Sequence, residues 1–366
     1  MIDSAQELSF GLVGCGQVVQ DLHLPAWSVV PGVRLVAICD SNQSALDAVS
    51  RRHPAAHAFS RFEDFLDHSD GLSFVVLATP GLSHPELAPR ILARRLNLLC
   101  EKPLALTAQA AHSMCSLAEQ NDVHLSAIHN YRFKENTRQA LRAMHRGELG
   151  DVAAVNLKFR SGPIFAEAGA WRRRERENRT LLFESGIHFV DIAMLFLGPL
   201  KSLQFLDADV DSLGLQRVVF STLHESGARG AFDLMIDASA TATDIEVLGE
   251  DGGLALQFFP QGYRRLPARD TPLHRCVSEG RRLSDYAREV IGEKIMRPKC
   301  SHRARSHAEL FSAYVRSLRG EGPDPAPARE LLPVIELLDE VASRSYAMHE
   351  ANPNRDAIEI ETAAAK

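Results

Sequence analysis

No run of apolar residues in this chain reaches the roughly 20 needed to cross a bilayer as a helix. Met1 to Ser9 is polar and acidic, with neither the basic start nor the apolar middle of a secretory leader. The expectation is a cytoplasmic protein with no membrane partner. A basic surplus is missing too. Against 47 Asp and Glu stand 41 Lys and Arg, a net charge of -6, which argues against nucleic acid as the main partner. The six cysteines (Cys15, Cys39, Cys100, Cys115, Cys276 and Cys300) form no Cys-x-x-Cys pair and lie mostly in apolar segments. They read as reduced, buried thiols rather than disulfides or metal ligands. Internal repeats and long linkers are absent as well. What is there is ordinary for a globular chain: 366 residues, 45% hydrophobic and 24% charged, too long for one core and so divided into two domains.

The first third alternates apolar runs with helical patterns. Phe10–Val13, Val33–Cys39, 58–59, 71–77, 97–100 and 124–127 read as strands. Helices are expected over Gln43–Arg52, over Arg61–His68 with Ser60 as cap, from His84 to Arg94, and from the cap Thr107 to Asn121. Such alternation implies a doubly wound parallel sheet. The first strand runs into Gly14-Cys15-Gly16-Gln17-Val18-Val19, the start of a dinucleotide fingerprint. Gly14 permits the tight turn, and Gly16 lets backbone approach a pyrophosphate at the next helix. The third glycine, which serves helix–strand packing, is replaced by Val19. The second strand ends in Asp40, a carboxylate suited to a ribose 2′-OH and repulsive to a 2′-phosphate, and no Arg follows it. NAD is therefore favoured, with NADP as the alternative. Thr79 and His84, at a strand's carboxyl end, are expected near the nicotinamide side, although His84 also reads as an ordinary helix-start histidine.

The apolar run 97–100 ends abruptly in Glu101-Lys102-Pro103. Chemistry in open α/β sheets collects at the carboxyl ends of strands. Pro103 restricts the backbone of Lys102 and so aims its ammonium. The competing reading is a surface turn with a chance Glu–Lys pair.

After the helix Lys134–Arg146, ended by Gly147, the pattern changes. Val152–Arg160, Lys201–Asp209, Val218–Leu223, Ala228–Asp237, Thr243–Leu248 and Gly253–Phe259 follow one another as strands joined by short turns, several marked by Gly227, Gly249 and Gly252-Gly253. They imply a large, mostly antiparallel sheet covered on one face only. An exposed apolar sheet face invites self-association as a homodimer or homotetramer. Residues 182–198 read as a buried helix capped by Gly198, on which Glu184, His188 and Asp191 recur at i, i+4 and i+7 and so share one side. Buried ionisable groups need partners or a ligand. A structural polar network competes with a catalytic site. A metal site is conceivable by ligand type, but no further His or Cys cluster supports it, and none is expected.

Together these residues resemble the glucose–fructose oxidoreductase/inositol dehydrogenase (Gfo/Idh/MocA) family of NAD(P)-dependent oxidoreductases. The resemblance is carried by Gly14-Cys15-Gly16, Asp40, Thr79-Pro80 with His84, Glu101-Lys102-Pro103, Asn130-Tyr131-Arg132, Trp171-Arg172, and Glu184 through His188 to Asp191. It implies catalytic roles for Lys102 and His188, which in the family flank the carbon that exchanges hydride. Glu184 takes the place of a frequent Asp. A cofactor site is implied at Gly14, Gly16, Gln17, Val18, Asp40, Thr79, Pro80, His84, Glu101 and Lys102, and a substrate site at Lys102, Tyr131, Arg132, Trp171, Arg172 and His188. By residue type, His188 suits a general base, Glu184 could orient it, and Lys102 could stabilise developing alkoxide charge.

The implied division is 1–128 for the Rossmann domain and 129–300 for a substrate-binding and oligomerisation domain. Helices within 301–351 return to the first domain, and 352–366 form a tail. The small-molecule partner would be a sugar, cyclitol or sugar derivative, possibly nucleotide-linked. Two rivals are kept: an NAD-dependent glycosidase using transient oxidation, and a non-catalytic nucleotide-sensing regulator. The charged loop 172–179 reads first as a solvated loop and second as a recognition element for an acidic substrate. The basic segment 264–305, with its amphipathic stretch Leu283–Ile295, is expected to pack across the cofactor domain.

Overall fold

The apolar runs of the first third assemble into one six-stranded sheet, all of whose neighbouring pairs are parallel. Its strands are β1 (Leu8–Val13), β2 (Val33–Cys39), β3 (His57–Phe59), β4 (Phe74–Leu77), β5 (Asn97–Glu101) and β6 (Leu125–Ile128), in spatial order β3-β2-β1-β4-β5-β6. Burial on both faces explains why β4 and β6, buried at every position, read as unbroken apolar runs. In this computed structural model the described residues are 7–162, 179–211, 214–236, 238–259, 261–266 and 304–351. They fall into two compact units. One takes the described residues through Gln139 together with 304–335, and the other takes those from Ala140 to 266 and from Glu336 to 351.

In the first unit the crossovers are α1 (Leu24–Trp27), α2 (Gln43–Ser50), α3 (Phe62–Asp67), α4 (His84–Ala93) and α5 (Ala108–Gln120). Asn42 Oδ1 caps α2 by accepting the Ser44 and Ala45 N–H groups, and Thr107 Oγ1 caps α5 by accepting that of Ala110. The expected cap at Ser60 does not form. Arg61 is the N-cap residue of α3, and no side chain satisfies its first turn. A late segment completes this core: α8 (Arg305–Leu318) sets Phe311 flat on Trp27, ring centroids 4.1 Å apart, and Tyr314 edge-on to Phe74. Phe10 stacks on Phe74 in the same cluster. Each fully buried aromatic stabilises the fold by about 1.5–3 kcal/mol.

In the second unit seven strands run in the order β13-β12-β11-β7-β10-β9-β8. They are β7 (Val152–Arg160), β8 (Leu200–Asp211), β9 (Gly214–His224), β10 (Arg229–Met235), β11 (Ala242–Gly249), β12 (Gly253–Phe258) and β13 (Gln261–Leu266). Every pair is antiparallel except β7 with β10. The edge strand β13 was not expected; its sequence, Gln-Gly-Tyr-Arg-Arg-Leu, hides its pattern behind charge, and Arg265 pairs with Glu148. The rest of the basic segment, 267–303, lies outside the described residues, as does 163–178 of the loop region.

Helix α6 (Glu135–His145) precedes β7, and α7 (Ile187–Leu197) lies against β7, β10 and β11. Phe189 of α7 meets Phe159 and Phe258 at 5.2 and 5.1 Å between ring centroids. The other sheet face is not the apolar surface expected from the sequence. It carries Asp233 between Arg160 and Arg217, and Gln257 bonded to Asp244. The last helix is α9 (Leu332–Ala351). Among the described residues no helix is long and apolar enough to cross a membrane.

Candidate active site

The strand order reverses between β1 and β4, and ligands of open α/β sheets bind in the crevice outside such a switch point. At the end of β1, Gly14 has φ +99°, and a Cβ there would lie 2.5 Å from the Ala78 carbonyl oxygen. The turn therefore requires glycine. Gly16 meets nothing within 4 Å of where a Cβ would stand, and Gly16, Gln17 and Val18 are all exposed. That is an open backbone edge on which a pyrophosphate could rest. Val19, in place of the third glycine, is fully buried in the aromatic core. It can be so because the helix here opens into a π-turn, Val19–His23, closed by the Leu24 N–H on the Val19 carbonyl. Pro25 supplies the cause: it lacks the N–H of a regular turn, and its ring crowds the carbonyl four residues back.

Asp40 reaches back to this turn. Its Oδ2 accepts the Cys15 N–H at 2.6 Å, and its Oδ1 accepts the Asn42 N–H at 2.7 Å. A carboxylate has about four lone-pair sites, so lone pairs remain for a ribose hydroxyl. These residues fit a dinucleotide. Asp40→Ala should weaken NAD binding by about 1.5–3 kcal/mol, roughly tenfold or more in Kd, while NADP, relieved of a repulsive charge, weakens less or gains. Parallel titrations of both cofactors check this; an unchanged NAD/NADP ratio would remove Asp40 from the ribose position.

The loops after β4 and β5 are braced together. His84 is fully buried, with Nδ1 2.8 Å from the Pro103 carbonyl oxygen and Nε2 2.9 Å from that of Thr79. Carbonyls only accept, so whichever ring nitrogen carries the proton donates to the carbonyl it faces. Ser83 Oγ donates to Thr79 Oγ1, and a Cβ on Gly81 would meet Pro103 at 2.8 Å. Pro80 and Leu82 are exposed, Leu82 at 48% and Val18 of the glycine turn at 41%, the apolar side chains at this edge most open to a ligand. Glu101 closes β5 and is buried, Lys102 is half-buried, and the Lys102–Pro103 peptide bond is cis.

Glu101 has partners that sequence reading missed. Its Oε1 accepts from His23 Nε2 at 2.7 Å, and its Oε2 accepts the Lys102 backbone N–H at 2.9 Å. Burial pushes this carboxyl up, but the His23 hydrogen bond and the charges of His23, Lys102 and His307 outweigh it and hold it at about 2. No local motif marks His23 or His307, because the contacts join β5 to a helix near the start and one near the end of the chain. Tyr131 and Arg132 occupy the turn Asn130–Phe133 after β6, both half-buried. Burial raises the Tyr131 phenol to about 12, and the Lys134 ammonium lies 4.6 Å from its ring centroid. The described cysteines Cys15, Cys39, Cys100 and Cys115 are free and buried, and burial raises each thiol.

In the second unit His188 and Asp191 are buried on α7, three residues apart and so on one face, while Glu184 is half-buried. The regular helix expected through all three is interrupted. Residues Thr180–Gly186 form a π-turn entered from Arg179 at φ +48°, and α7 begins only at Ile187. The wider turn changes the angular offset of Glu184, so the i, i+4 spacing does not carry over to it. Gly186 is required at the junction: a Cβ would stand 2.7 Å from Leu234 and 2.9 Å from the Leu181 carbonyl oxygen. Arg179 is anchored by Asp339 and lies over the Phe183 ring. Trp171 and Arg172 lie outside the described residues.

Two family models match this chain. One, described as the oxidoreductase family with NAD-binding Rossmann fold, covers residues 8–129, and the other, the GFO/IDH/MocA C-terminal domain, covers 137–255. Among curated proteins the chain is 29% identical to the D-apiose dehydrogenase of Paraburkholderia graminis over 67% of its own length and 66% of that protein. It is 26% identical to the D-glucoside 3-dehydrogenase of Escherichia coli over 53% and 55%. The chain thus spans about two thirds and about half of these relatives. In fold it is similar to the WlbA dehydrogenase of Bordetella pertussis, solved with NADH and UDP-GlcNAcA, with a TM-score of 0.76 at 21% identity over 94% of this chain and 96% of that one. An oxidoreductase from Agrobacterium radiobacter, solved with NAD+, L-tartaric acid and magnesium, superposes with a TM-score of 0.71 at 22% identity over 93% and 97%.

Proposed function

Because the chain belongs to the Gfo/Idh/MocA oxidoreductase family, we propose that it oxidises a hydroxyl-bearing carbon of a sugar, cyclitol or sugar derivative, or reduces the matching carbonyl, with NAD as partner. The observation that carries the reading is the open Gly14–Gly16 turn with Asp40 pinned to it, on the same sheet edge as Lys102. Bound NAD would supply the hydride acceptor. The rest falls to side chains. Gly16 gives backbone to the pyrophosphate, Asp40 takes the ribose, and the braced Thr79–His84 loop shapes the nicotinamide side with Pro80. Lys102 donates to the reacting oxygen and steadies its developing negative charge. His188 removes the hydroxyl proton, and Glu184 orients that imidazole. Tyr131, Arg132, Trp171 and Arg172 are assigned to the rest of the sugar. The domain division at 128 and 300, and self-association as a dimer or tetramer, belong to the same reading; light scattering at low concentration checks the latter, and a monomer of 40.3 kDa would reject it.

The relatives named for D-apiose and D-glucosides set the first substrates to try. Purified protein should accumulate NADH with at least one pentose, glucoside or cyclitol of a panel, and should prefer NAD to NADP. Glycoside cleavage without net NADH would replace this reading with the transient-oxidation glycosidase. Cofactor binding without turnover of any panel member would favour the sensing role.

A further inference from the structure

Three buried side chains from three distant parts of the chain meet behind Lys102: His23 from the π-turn, Glu101 from β5 and His307 from α8. One nitrogen or oxygen of each lies within 4.8 Å of the others. His307 is tilted against His23, ring centroids 5.3 Å apart, and Phe311 meets His23 edge-on at 5.3 Å, beside His307 at 6.0 Å. Neither histidine has a part in the hydride chemistry above.

We infer that His23, backed by His307, is a positioning residue for Lys102, acting through the Glu101 carboxylate. The inference rests on the proposed dehydrogenase function. Both Glu101 oxygens are already committed, one to His23 and one to the backbone N–H of Lys102. The groups facing this carboxylate are His23, His307 and Lys102 itself. A buried carboxylate stripped of a partner is strongly destabilised, and it turns to the nearest remaining cation. Here the remaining cation whose charge acts on the carboxylate most is the Lys102 ammonium. Without His23, Glu101 therefore draws inward the very group that should reach the substrate oxygen. His23 occupies one oxygen of the carboxylate, so that oxygen does not compete for the ammonium.

His307 packs its ring against His23 beside the carboxylate. Burial first, then the His23 and Lys134 charges, push its own imidazole down to about 3, against the pull of Glu101. Within the trio, His23 and Glu101 are joined by the 2.7 Å hydrogen bond, and the positive charges of Lys102, acting on Glu101, and of Lys134, acting on His307, oppose a further cation there.

The test compares H23F, which keeps the ring volume without a donor, with H23Q, which keeps a donor, and with the double variant H23F/E101Q. H23N, too short to reach Oε1, replaces H23F if that variant does not fold. Two readouts are taken: kcat, KM and NAD affinity on any active substrate, and the rate at which an amine-reactive acylating reagent labels Lys102, followed by peptide mass spectrometry. The second needs no substrate, so a wild type that turns nothing over defeats the proposed function and still leaves this inference measurable. A misplaced catalytic group costs about 10²-fold, so H23F should lose kcat on that order, keep its NAD affinity, and show slower Lys102 labelling. H23Q should recover most of both. Adding E101Q to H23F should restore labelling and part of kcat, because the competing charge is gone. Labelling unchanged in H23F, or a double variant worse than H23F in both readouts, would overturn the inference. So would a stoichiometric divalent metal in the purified protein.

Discussion

Lys102→Met should slow single-turnover hydride transfer by about 10²–10³-fold, the usual cost of losing one donor to a developing oxyanion. NAD affinity should stay close to that of the wild type. The ammonium is assigned to charge that appears as the hydroxyl gives up its proton, so its loss falls on the transition state and not on cofactor binding. His188→Ala should cost about 10²–10⁴-fold, the range for a missing general base. If the two serve the same reacting hydroxyl they act as a unit, and the double variant should be little worse than the poorer single one. Full multiplication of the two losses would separate their roles. Collapse of NAD binding in His188→Ala, with folding intact, would make His188 a cofactor residue instead. Stopped-flow transfer and cofactor titration on the same samples distinguish these cases.

The second large effect concerns stability. Phe311→Ala should destabilise the protein by about 3–5 kcal/mol, the cost of emptying a buried aromatic site. Phe311 is fully buried, stacked on Trp27 and edge-on to His23. The cavity would open inside the cofactor-binding unit although the residue comes from near the end of the chain. Denaturant unfolding followed by Trp fluorescence reports on this directly, since Trp27 lines the cavity. A loss below about 1 kcal/mol, typical of a surface change, would show that α8 is not part of that core.

Much of this was legible in the residues. The alternation of apolar runs gave the parallel sheet because strands buried on both faces must be apolar throughout, and Asp40 stood out as a carboxylate ending such a run. Glu101-Lys102-Pro103 stood out for the same reason. What stayed hidden depends on contacts between distant segments or on irregular backbone. The π-turns at Val19–His23 and Thr180–Gly186 follow from Pro25 and from the close approach of Gly186 to β10, which periodicity does not register. Strand β13 alternates too little to be seen, because Arg264 and Arg265, which point to opposite faces, are both exposed. His84 looked like a cofactor contact, and its fully buried ring sits with both nitrogens against backbone carbonyls, those of Pro103 and Thr79. His23 and His307 could be found only once the fold had brought them to Glu101.

The central claim is that this chain moves a hydride between a sugar carbon and NAD, and deuterium transfer tests it most directly. The protein is incubated with NAD and with a sugar that it turns over, deuterated at each carbinol carbon in turn, and the nicotinamide is analysed by mass spectrometry. The expected result is one deuterium delivered from a single carbon position, with the transfer nearly abolished in Lys102→Met. Reduced nicotinamide without deuterium from any position, or undiminished transfer in Lys102→Met, would contradict the account.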